Sequence, residues 1–291
     1  MATPGQWVAG ARLRTLPAAA AGVVAGTGAA ITAGGARPLE AVLALVVALA
    51  LQVGVNYAND YSDGIRGTDA ERVGPLRLVG SGVASPAAVK RAALASLGVA
   101  GLAGLALAAL TTWWLLAIGA AAMLAAWGYT GGPRPYGYAG LGEVFVFVFF
   151  GPVAVCGTTY VQARHVTAAS VGCGVIMGLL ISALLVANNL RDVPTDRESG
   201  KLTLAVRIGE RRSRWLYAGL VAAALAVVAG LGAAVSPWLL LGFAALPPAV
   251  RAVRSVLAGA TGRALIPVLA ATGGTTLICS AGLLAGFALT R

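Results

Sequence analysis

The chain has 291 residues, of which 58% are hydrophobic and only 11% are charged. Soluble domains carry about 25% charged residues, so this chain cannot cover its surface with polar groups. The composition excludes a soluble enzyme, a disordered chain and a fibrous repeat, and it leaves an integral membrane protein. The net charge of +11 would indicate a nucleic-acid partner in a soluble protein. Membrane topology explains the charge here, and we expect no nucleic-acid binding.

Candidate membrane spans are runs without Asp, Glu, Lys, Arg or His, because a spanning helix needs about 20 predominantly apolar residues. In chain order, the runs cover 15–36, 41–59, 92–133, 144–163, 166–190, 215–250 and 264–290. Two of them, with 42 and 36 residues, are long enough to cross twice, with predicted turns near Leu110–Thr112 and Val235–Pro237. The runs therefore predict nine helices, of which the eighth covers about 236–250 and ends at Pro247 and Pro248.

Basic residues are unevenly divided between the two sides that nine alternating spans create. Eighteen of the 21 lie on the side of the N-terminus, and only Arg37, Arg164 and Arg291 lie on the other side. The positive-inside rule then predicts a cytoplasmic N-terminus and a C-terminus on the opposite side of the cell membrane. Arg12 and Arg14 precede the first run as in a secretory signal, but the many later spans favour an uncleaved first helix.

Small and sulphur-containing residues in the spans are expected to be structural. Glycines recur as Gly22–Gly26 and Gly98–Gly101–Gly104, which predicts close helix packing. The cysteines lack CxxC spacing and lie in apolar stretches, so they support neither a disulfide framework nor a thiolate metal site: Cys156, Cys173 and Cys279. A single histidine, His165, leaves no histidine cluster for a metal.

Seven of the ten acidic residues lie in two short segments, each directly after an apolar run. The segments contain Asp60, Asp63, Asp69 and Glu71, and then Asp192, Asp196 and Glu198. Four predicted helices separate them, and this even number places both on the same cytoplasmic face. We expect one transmembrane domain over 1–291, with these segments in loops at about 56–91 and 188–214.

Within each segment, amide and acid side chains repeat at helical spacing. Those of the first segment fall at i, i+3, i+4 and i+7, on one face of a helix end: Asn56, Asn59, Asp60 and Asp63. Those of the second fall at i, i+4 and i+8: Asn188, Asp192 and Asp196. Pro194 is expected to kink or end the helix near Asp192. The shared Asn-x-x-x-Asp core indicates two halves that face a common cavity.

Clustered carboxylate and amide oxygens without His or Cys are hard ligands that suit Mg²⁺. The surrounding basic residues are Arg66, Arg72, Arg77, Arg191, Arg197, Lys201 and Arg207, with Arg14 and Arg134 from neighbouring segments. Carboxylate-bound metal beside guanidinium groups is an arrangement that holds a diphosphate. The alternative is a pair of solvated loops whose charges simply pair, but two matching segments on one face favour the metal site.

The two segments resemble the acidic motifs of the UbiA superfamily of intramembrane prenyltransferases. Residues 59–63, NDYSD, resemble its NDxxD motif, and residues 192–196, DVPTD, its DxxxD motif. The longer runs 56–82 and 188–209, with RTLP at 14–17 and RPYGYAGLGE at 134–143, resemble the 1,4-dihydroxy-2-naphthoate polyprenyltransferase (MenA) branch. Many members carry a third Asp where this chain has Gly67, which leaves the role of Asp69 open.

This resemblance implies an all-α polytopic membrane protein with about nine transmembrane helices around a central cavity. It also implies Mg²⁺-dependent transfer of a polyprenyl group from polyprenyl diphosphate to an aromatic acceptor in the bilayer. In the MenA branch the acceptor is 1,4-dihydroxy-2-naphthoate, which loses CO₂ to give demethylmenaquinone. Branches that use 4-hydroxybenzoate, phytyl-quinone or tetrapyrrole acceptors stay open. A transporter is the alternative of another class, although transporter sites tend to lie near the midplane.

On this resemblance we assign roles to individual side chains. The predicted Mg²⁺ and diphosphate ligands are Asn56, Asp60, Asp63, Asp192 and Asp196. Predicted contacts to the substrates are Asn59 and Asn188, with Arg14, Arg134, Lys201 and Arg207 on phosphate oxygens and Arg77, Tyr136 or Tyr138 on the acceptor. Glu143, the only acid at the head of the fifth span, is predicted to deprotonate or orient a hydroxyl. A structural hydrogen bond is its equal alternative.

Overall fold

The computed structural model describes residues 2–67 and 76–290, and the regular structure in these ranges is helical throughout. The α-helices are α1 (Pro4–Gly10), α2 (Leu16–Thr32), α3 (Pro38–Ile65), α4 (Pro86–Leu110), α5 (Trp114–Gly128), α6 (Gly142–Val148), α7 (Ala154–Ala163), α8 (Ala168–Glu198), α9 (Leu204–Ile208), α10 (Glu210–Ala234), α11 (Leu246–Leu257) and α12 (Leu265–Leu289). Shorter 3₁₀ turns cover Leu13–Thr15, Tyr136–Ala139, Pro237–Ala245 and Gly262–Ala264. Asp69, Glu71, Arg72 and Arg291 lie outside the described residues.

The all-α membrane fold predicted from the sequence is confirmed. Within the described ranges, eight helical segments are long and apolar enough to span a bilayer. The remaining predicted helix, the fourth in chain order, is α5, which is apolar but has 15 residues, or about 22 Å at 1.5 Å per residue. Both predicted turns are also correct, since α4 ends at Leu110 and α5 begins at Trp114, and α10 ends at Ala234 just before the turn at Pro237.

Neither helix end predicted from a proline is found, and the kink predicted as the alternative at Pro194 stays a prediction. Pro247 and Pro248 do not end the eighth span but lie in the first turn of α11, which continues to Leu257. A proline is tolerated in a first helical turn because its missing N–H has no partner there to lose. Pro194 lies inside α8, which continues to Glu198. Its neighbours therefore stay helical at the cost of one i→i−4 hydrogen bond.

The long helix α8 lies at the centre of the bundle, in contact with α2, α6, α7, α10 and α12. Its inward face is fully buried at Cys173, Ile176 and Met177. The outer helices show the reverse pattern, since Leu102 is 72% exposed and Trp114 is 79% exposed. Large exposed apolar side chains of this kind suit a surface that faces lipid.

The glycine prediction is confirmed for Gly22 and Gly26, and in the second set it holds only at Gly101, where a Cβ would lie 3.2 Å from Cε of Met123. A Cβ added to Gly26 would lie 2.5 Å from the carbonyl oxygen of Val155, and one on Gly22 would lie 3.0 Å from a neighbouring methyl group. These glycines let α2 approach α7 closely. A Cβ on Gly98 or Gly104 would meet nothing within 4 Å. These two positions therefore do not mediate a helix contact.

The α6–α7 span crosses α8 at very close range. A π-helical turn over Phe149–Val153 joins α6 to α7. In this turn, a Cβ on Gly151 would lie 2.5 Å from the carbonyl oxygen of Gly174 and 2.8 Å from Cα of Gly178. No side chain fits between these backbones, so the two spans touch backbone to backbone.

Candidate functional site

Asp60 and Asp63, the described acids of the first segment, lie in the last two turns of α3. The helix continues unbroken through both acids to Ile65. Gly67 follows in the left-handed conformation, with φ of 72°, which is the usual way for a helix to end. The acids are buried, with no exposed surface on Asp60 and 3% on Asp63. They are therefore part of a protein interior and not of a solvated loop.

Asp60 holds the chain that returns towards α4. Its Oδ2 accepts a hydrogen bond from the backbone N–H of Leu78 at 2.8 Å, and its Oδ1 accepts one from Val79 at 3.0 Å. A carboxylate has about four lone-pair sites. Asp60 can therefore anchor this backbone and still present oxygen to a cation.

The two asparagines of the first segment connect α3 to its neighbours. Asn56 Nδ2 donates to the carbonyl oxygen of Ala11 at 2.8 Å and to Thr15 Oγ1 at 3.0 Å. Asn59 Oδ1 accepts a hydrogen bond from Thr130 Oγ1 at 2.7 Å. Both amides thus fix the packing of neighbouring segments around the acids.

Asp63 is the centre of a buried polar cluster. Tyr138 donates its hydroxyl to Asp63 Oδ1 at 2.6 Å. Lys201 Nζ lies 3.1 Å from the same oxygen, and Arg77 Nη2 lies 3.6 Å from Oδ2. The Lys201 ammonium also lies 4.9 Å from the centroid of the Tyr138 ring. Three segments that are distant in sequence therefore meet at one carboxylate.

The second acidic segment is the last part of α8. Arg191 forms a bidentate pair with Asp192, since Nε and Nη2 each lie 2.7 Å from a carboxylate oxygen. Arg191 Nη2 also donates to Asn188 Oδ1 at 2.9 Å. Asp192 is 3% exposed and Asp196 is 9% exposed. Asp192 and Asp196 are therefore buried like Asp60 and Asp63, and Asp192 is already matched by a cation.

Lys201 joins the two acidic segments. Its backbone N–H donates to the carbonyl oxygen of Asp196 at 2.8 Å, while its ammonium group pairs with Asp63. The ends of α3 and α8 therefore meet at the same end of the bundle.

The carboxylates do not form a ready metal cage. Among the described residues, no group of three or more His, Cys, Asp or Glu side chains is arranged to hold an ion. Asp63 and Asp192 are paired with Lys201, Arg77 and Arg191 instead. This donor set still fits Mg²⁺, which usually takes one or two carboxylates and completes its coordination with water and substrate phosphates.

An aromatic cluster lies beside the acids. The rings of Tyr136 and Phe145 stack with centroids 3.9 Å apart, and Tyr129 meets Tyr136 edge-on at 5.6 Å. Tyr136 donates its hydroxyl to the carbonyl oxygen of Ala125 at 2.8 Å. Burial raises the pKa of the Tyr136 hydroxyl. The pKa of Tyr129 is raised by burial first and then by the negative charge of Glu143.

Glu143 lies at the head of α6 and is 7% exposed. Its Oε1 accepts a hydrogen bond from Asn189 Nδ2 at 2.9 Å, and its backbone carbonyl accepts one from Ser182 Oγ at 3.1 Å. Its Oε2 is buried and has no hydrogen-bond partner among the described residues. The predicted alternative of a structural hydrogen bond thus holds for one oxygen of this carboxyl group.

Three predicted phosphate-binding arginines lie outside the buried cluster. Arg14, Arg134 and Arg207 are exposed, and Arg207 donates from Nε to the carbonyl oxygen of Leu202 at 3.0 Å. Arg66 has no predicted individual role but contacts the cluster, with its guanidinium carbon 5.4 Å from the centroid of the Tyr138 ring.

Sequence reasoning missed Asn189 and Tyr129. It selected Asn188 because of the i, i+4 spacing to Asp192. The available signal was the i, i+7 spacing of Ser182 and Asn189, which places both on the face of α8 that meets Glu143. Tyr129 stands alone at the end of an apolar helix, and no pattern singles it out.

The comparisons with known proteins identify the family of this chain. The model of the UbiA prenyltransferase family matches residues 19–264. The 1,4-dihydroxy-2-naphthoate octaprenyltransferase of Mycobacterium tuberculosis (strain ATCC 25618 / H37Rv) is 55% identical over 278 residues, which cover 96% of this chain and 95% of that protein. The protein of the same name from Escherichia coli (strain K12) is 38% identical, over 91% of this chain and 89% of that protein.

A solved structure shares the fold. A UbiA homolog from Archaeoglobus fulgidus bound to GPP and Mg²⁺ aligns with a TM-score of 0.72 at 15% identity, covering 98% of this chain and 99% of that one. The helical spans and the long family match together identify a multi-pass membrane protein. The chain belongs to the UbiA prenyltransferase family.

Proposed function

We propose that this protein transfers a polyprenyl group from polyprenyl diphosphate to 1,4-dihydroxy-2-naphthoate, as a step of menaquinone biosynthesis. The allylic C–O bond to diphosphate breaks, a C–C bond forms to the naphthoate ring, and the carboxylate leaves as CO₂, which gives demethylmenaquinol, the hydroquinone form of demethylmenaquinone. Relatives named for this transfer align with nearly the whole chain. The structural observation that carries the proposal is the junction at Lys201, which contacts Asp63 of one acidic segment and Asp196 of the other.

This junction supports a diphosphate site in which buried carboxylates face buried cations. Mg²⁺ would be held by the predicted ligands Asp60, Asp63, Asp192 and Asp196, with Asn56 behind them, and would neutralise charge that develops on the leaving diphosphate. The cations now paired with these acids are free to turn to phosphate oxygens once the carboxylates have another partner. Asn59, Asn188, Arg14, Arg134 and Arg207 stay proposed substrate contacts around this centre.

The aromatic cluster beside the acids supports a planar acceptor. Stacked rings at Tyr136 and Phe145 offer flat apolar surface, which suits a bicyclic naphthoate. Arg77 adds a buried positive charge that suits the acceptor carboxylate. Because burial raises the pKa of Tyr136 and Tyr129, both hydroxyls keep their protons at neutral pH. With Tyr138, they are proposed contacts of the acceptor, whose hydroxyl groups can donate to the tyrosine oxygens.

The membrane supplies the rest of the environment. A long isoprenoid tail is insoluble in water, so its transfer requires helices that face lipid. We propose that the N-terminus and both acidic segments lie on the cytoplasmic side, since 18 of 21 basic residues fall on that side. Arg197→Cys and Arg37→Cys, in a chain whose own cysteines are replaced by alanine, test this. An impermeant thiol reagent should label only Arg37→Cys in intact cells, and the opposite pattern would contradict the orientation.

The test of function uses purified protein in lipid nanodiscs with Mg²⁺, a polyprenyl diphosphate and the naphthoate. Demethylmenaquinone is measured by mass spectrometry, and pyrophosphate release is measured in parallel. Asp63→Asn and Asp192→Asn should each lower kcat about 100-fold or more, since each weakens charge stabilisation in the transition state. Glu198→Gln is the matched control, because Glu198 is exposed on the same helix as Asp192.

Near-wild-type turnover in either aspartate variant would contradict the assignment. A panel of aromatic acceptors tests the proposed identity of the acceptor. Faster transfer to 4-hydroxybenzoate than to the naphthoate would show that the acceptor is wrong while the prenyltransferase chemistry stands. Substrate uptake into vesicles without pyrophosphate release would favour a transporter instead.

A further inference from the structure

The carboxyl group of Glu143 is buried in the helix bundle with only one of its oxygens hydrogen-bonded. Oε1 accepts from Asn189 Nδ2 at 2.9 Å, and Oε2 has no hydrogen bond within the described part of the chain. An unpaired polar atom in such a place is costly. It persists most readily where a partner arrives with a substrate.

The hydrogen bond from Asn189 gives the two carboxylate oxygens of Glu143 different roles. The Nδ2 group of an amide can only donate, so the oxygen that faces it must accept. Asn189 therefore fixes Oε1 as an acceptor and leaves Oε2 as the atom that can gain or lose a proton. Asn189 is 6% exposed and sits three residues before Asp192 on α8. The helix that carries the second acidic segment thus also orients this carboxyl group.

Glu143 also lies next to the rest of the site. A Cβ on Gly142, the preceding residue, would lie 3.1 Å from a ring carbon of Tyr129. The charges of Glu143, Asp63 and Asp196 all act on the Tyr129 hydroxyl. The carboxyl group is therefore within electrostatic reach of both acidic segments, where the diphosphate and the acceptor are proposed to meet.

We propose that Asn189 is a positioning residue that directs Oε2 of Glu143 to the acceptor hydroxyl, whose proton this oxygen accepts. This inference rests on the proposed function. The O–H bond of the acceptor breaks, the proton passes to Oε2, and the released electron pair increases the nucleophilicity of the ring carbon that attacks the allylic carbon. When CO₂ leaves, its bonding electron pair returns to the ring oxygen as an oxyanion, and Oε2 gives the proton back to this oxygen, which restores both the hydroxyl group and the carboxylate.

The test compares kcat, KM and the pH dependence of kcat in nanodiscs. Glu143→Gln should lower kcat about 100-fold, as expected for loss of a general base. Asn189→Ala should lower kcat about 10-fold, the size of one charge-assisted hydrogen bond, with the KM for polyprenyl diphosphate within about 2-fold of the wild-type value.

The pH profile separates a positioning role from a packing role. Asn189→Asp places a second negative charge beside Glu143, so the acidic limb of the kcat profile should move to higher pH. Asn189→Ala removes a hydrogen-bond donor to the ionised carboxylate of Glu143, so the acidic limb should again move to higher pH. Ser182→Ala is the matched control, because Ser182 bonds the backbone of Glu143 and not its carboxyl group. Its profile should match that of the wild type.

Unchanged pH profiles in both Asn189 variants would overturn the proposal, as would an equal shift in Ser182→Ala. Size-exclusion elution and thermal unfolding of each variant confirm that a folded protein is being compared. Failure of the proposed function would look different, since the wild-type protein itself would then form no prenylated naphthoate.

Discussion

Replacing Lys201 by methionine tests whether this lysine occupies the place of a cation when substrate is absent. Methionine keeps much of the apolar stem and removes the ammonium group that lies 3.1 Å from Asp63 Oδ1. Breaking a buried ion pair costs about 3–5 kcal/mol. In Lys201→Met, Asp63 keeps its contacts with Tyr138 and Arg77. We therefore expect the free energy of unfolding to fall by about 2 kcal/mol, the value of one charged hydrogen bond.

The same change should favour Mg²⁺, because a cation that competes for Asp63 is gone. An energy of about 2 kcal/mol corresponds to about a 30-fold change in a binding constant. Lys201→Met should therefore unfold at lower temperature without Mg²⁺ and need less Mg²⁺ for half-maximal stabilisation. Its KM for polyprenyl diphosphate should rise, since a proposed phosphate contact is lost.

The assay is thermal unfolding followed by tryptophan fluorescence in detergent, across a Mg²⁺ titration. Lys90→Met is the matched control. Lys90 also lies over a tyrosine ring, with its ammonium 5.6 Å from the centroid of Tyr61, but it is exposed. The reasoning is refuted if Lys201→Met and Lys90→Met share one unfolding temperature and one Mg²⁺ midpoint.

Three further predictions use thermal unfolding as the measurement. Arg191→Met removes the bidentate partner of buried Asp192 and should cost about 3 kcal/mol; no change would show that the pair is dispensable. Gly151→Ala should destabilise by about 1–3 kcal/mol through overpacking, whereas Gly98→Ala, which points into open space, should be neutral or mildly stabilising. Because burial raises the pKa of Tyr136, the unfolded state loses this proton first as pH rises past about 10. Stability should therefore fall above that pH, and less steeply in Tyr136→Phe; equal slopes would contradict this.

The spans could be read from the sequence because their information is local. The lengths of the apolar runs predicted the turns before Trp114 and at Pro237. The even number of spans between the two acidic segments predicted that Asp63 and Asp192 lie at the same end of the bundle. The effect of each proline on its helix could not be predicted in the same way, because it depends on where in the helix the proline lies. Pro194 interrupts a pattern on paper but is carried inside α8, and Pro247 begins a helix instead of ending one.

Residue partners in the site depend on contacts between distant segments, which spacing does not encode. Asp60 was expected to face a metal, and in the structure it also anchors the backbone at Leu78 and Val79. Nothing in the sequence near Asp60 specifies the path of that returning chain. Asn188 and Asn189 are adjacent, and only the rotation of α8 decides that the second one meets Glu143.

The backbone contact at Gly151 is the pivot about which the α6–α7 span and α8 would tilt. Glu143 lies eight residues before it on one span, and Asn189 lies on the antiparallel partner beyond Gly178. A contact without side chains has no rotamers with which to absorb a shift, so the two spans can only tilt about this point. Glu143 is about 12 Å from the pivot at 1.5 Å per residue, and a tilt of roughly 10° would displace it by roughly 2 Å, enough to break its hydrogen bond to Asn189. The backbone geometry at Gly151 thereby sets how accurately the proposed proton acceptor, eight residues away, is aimed.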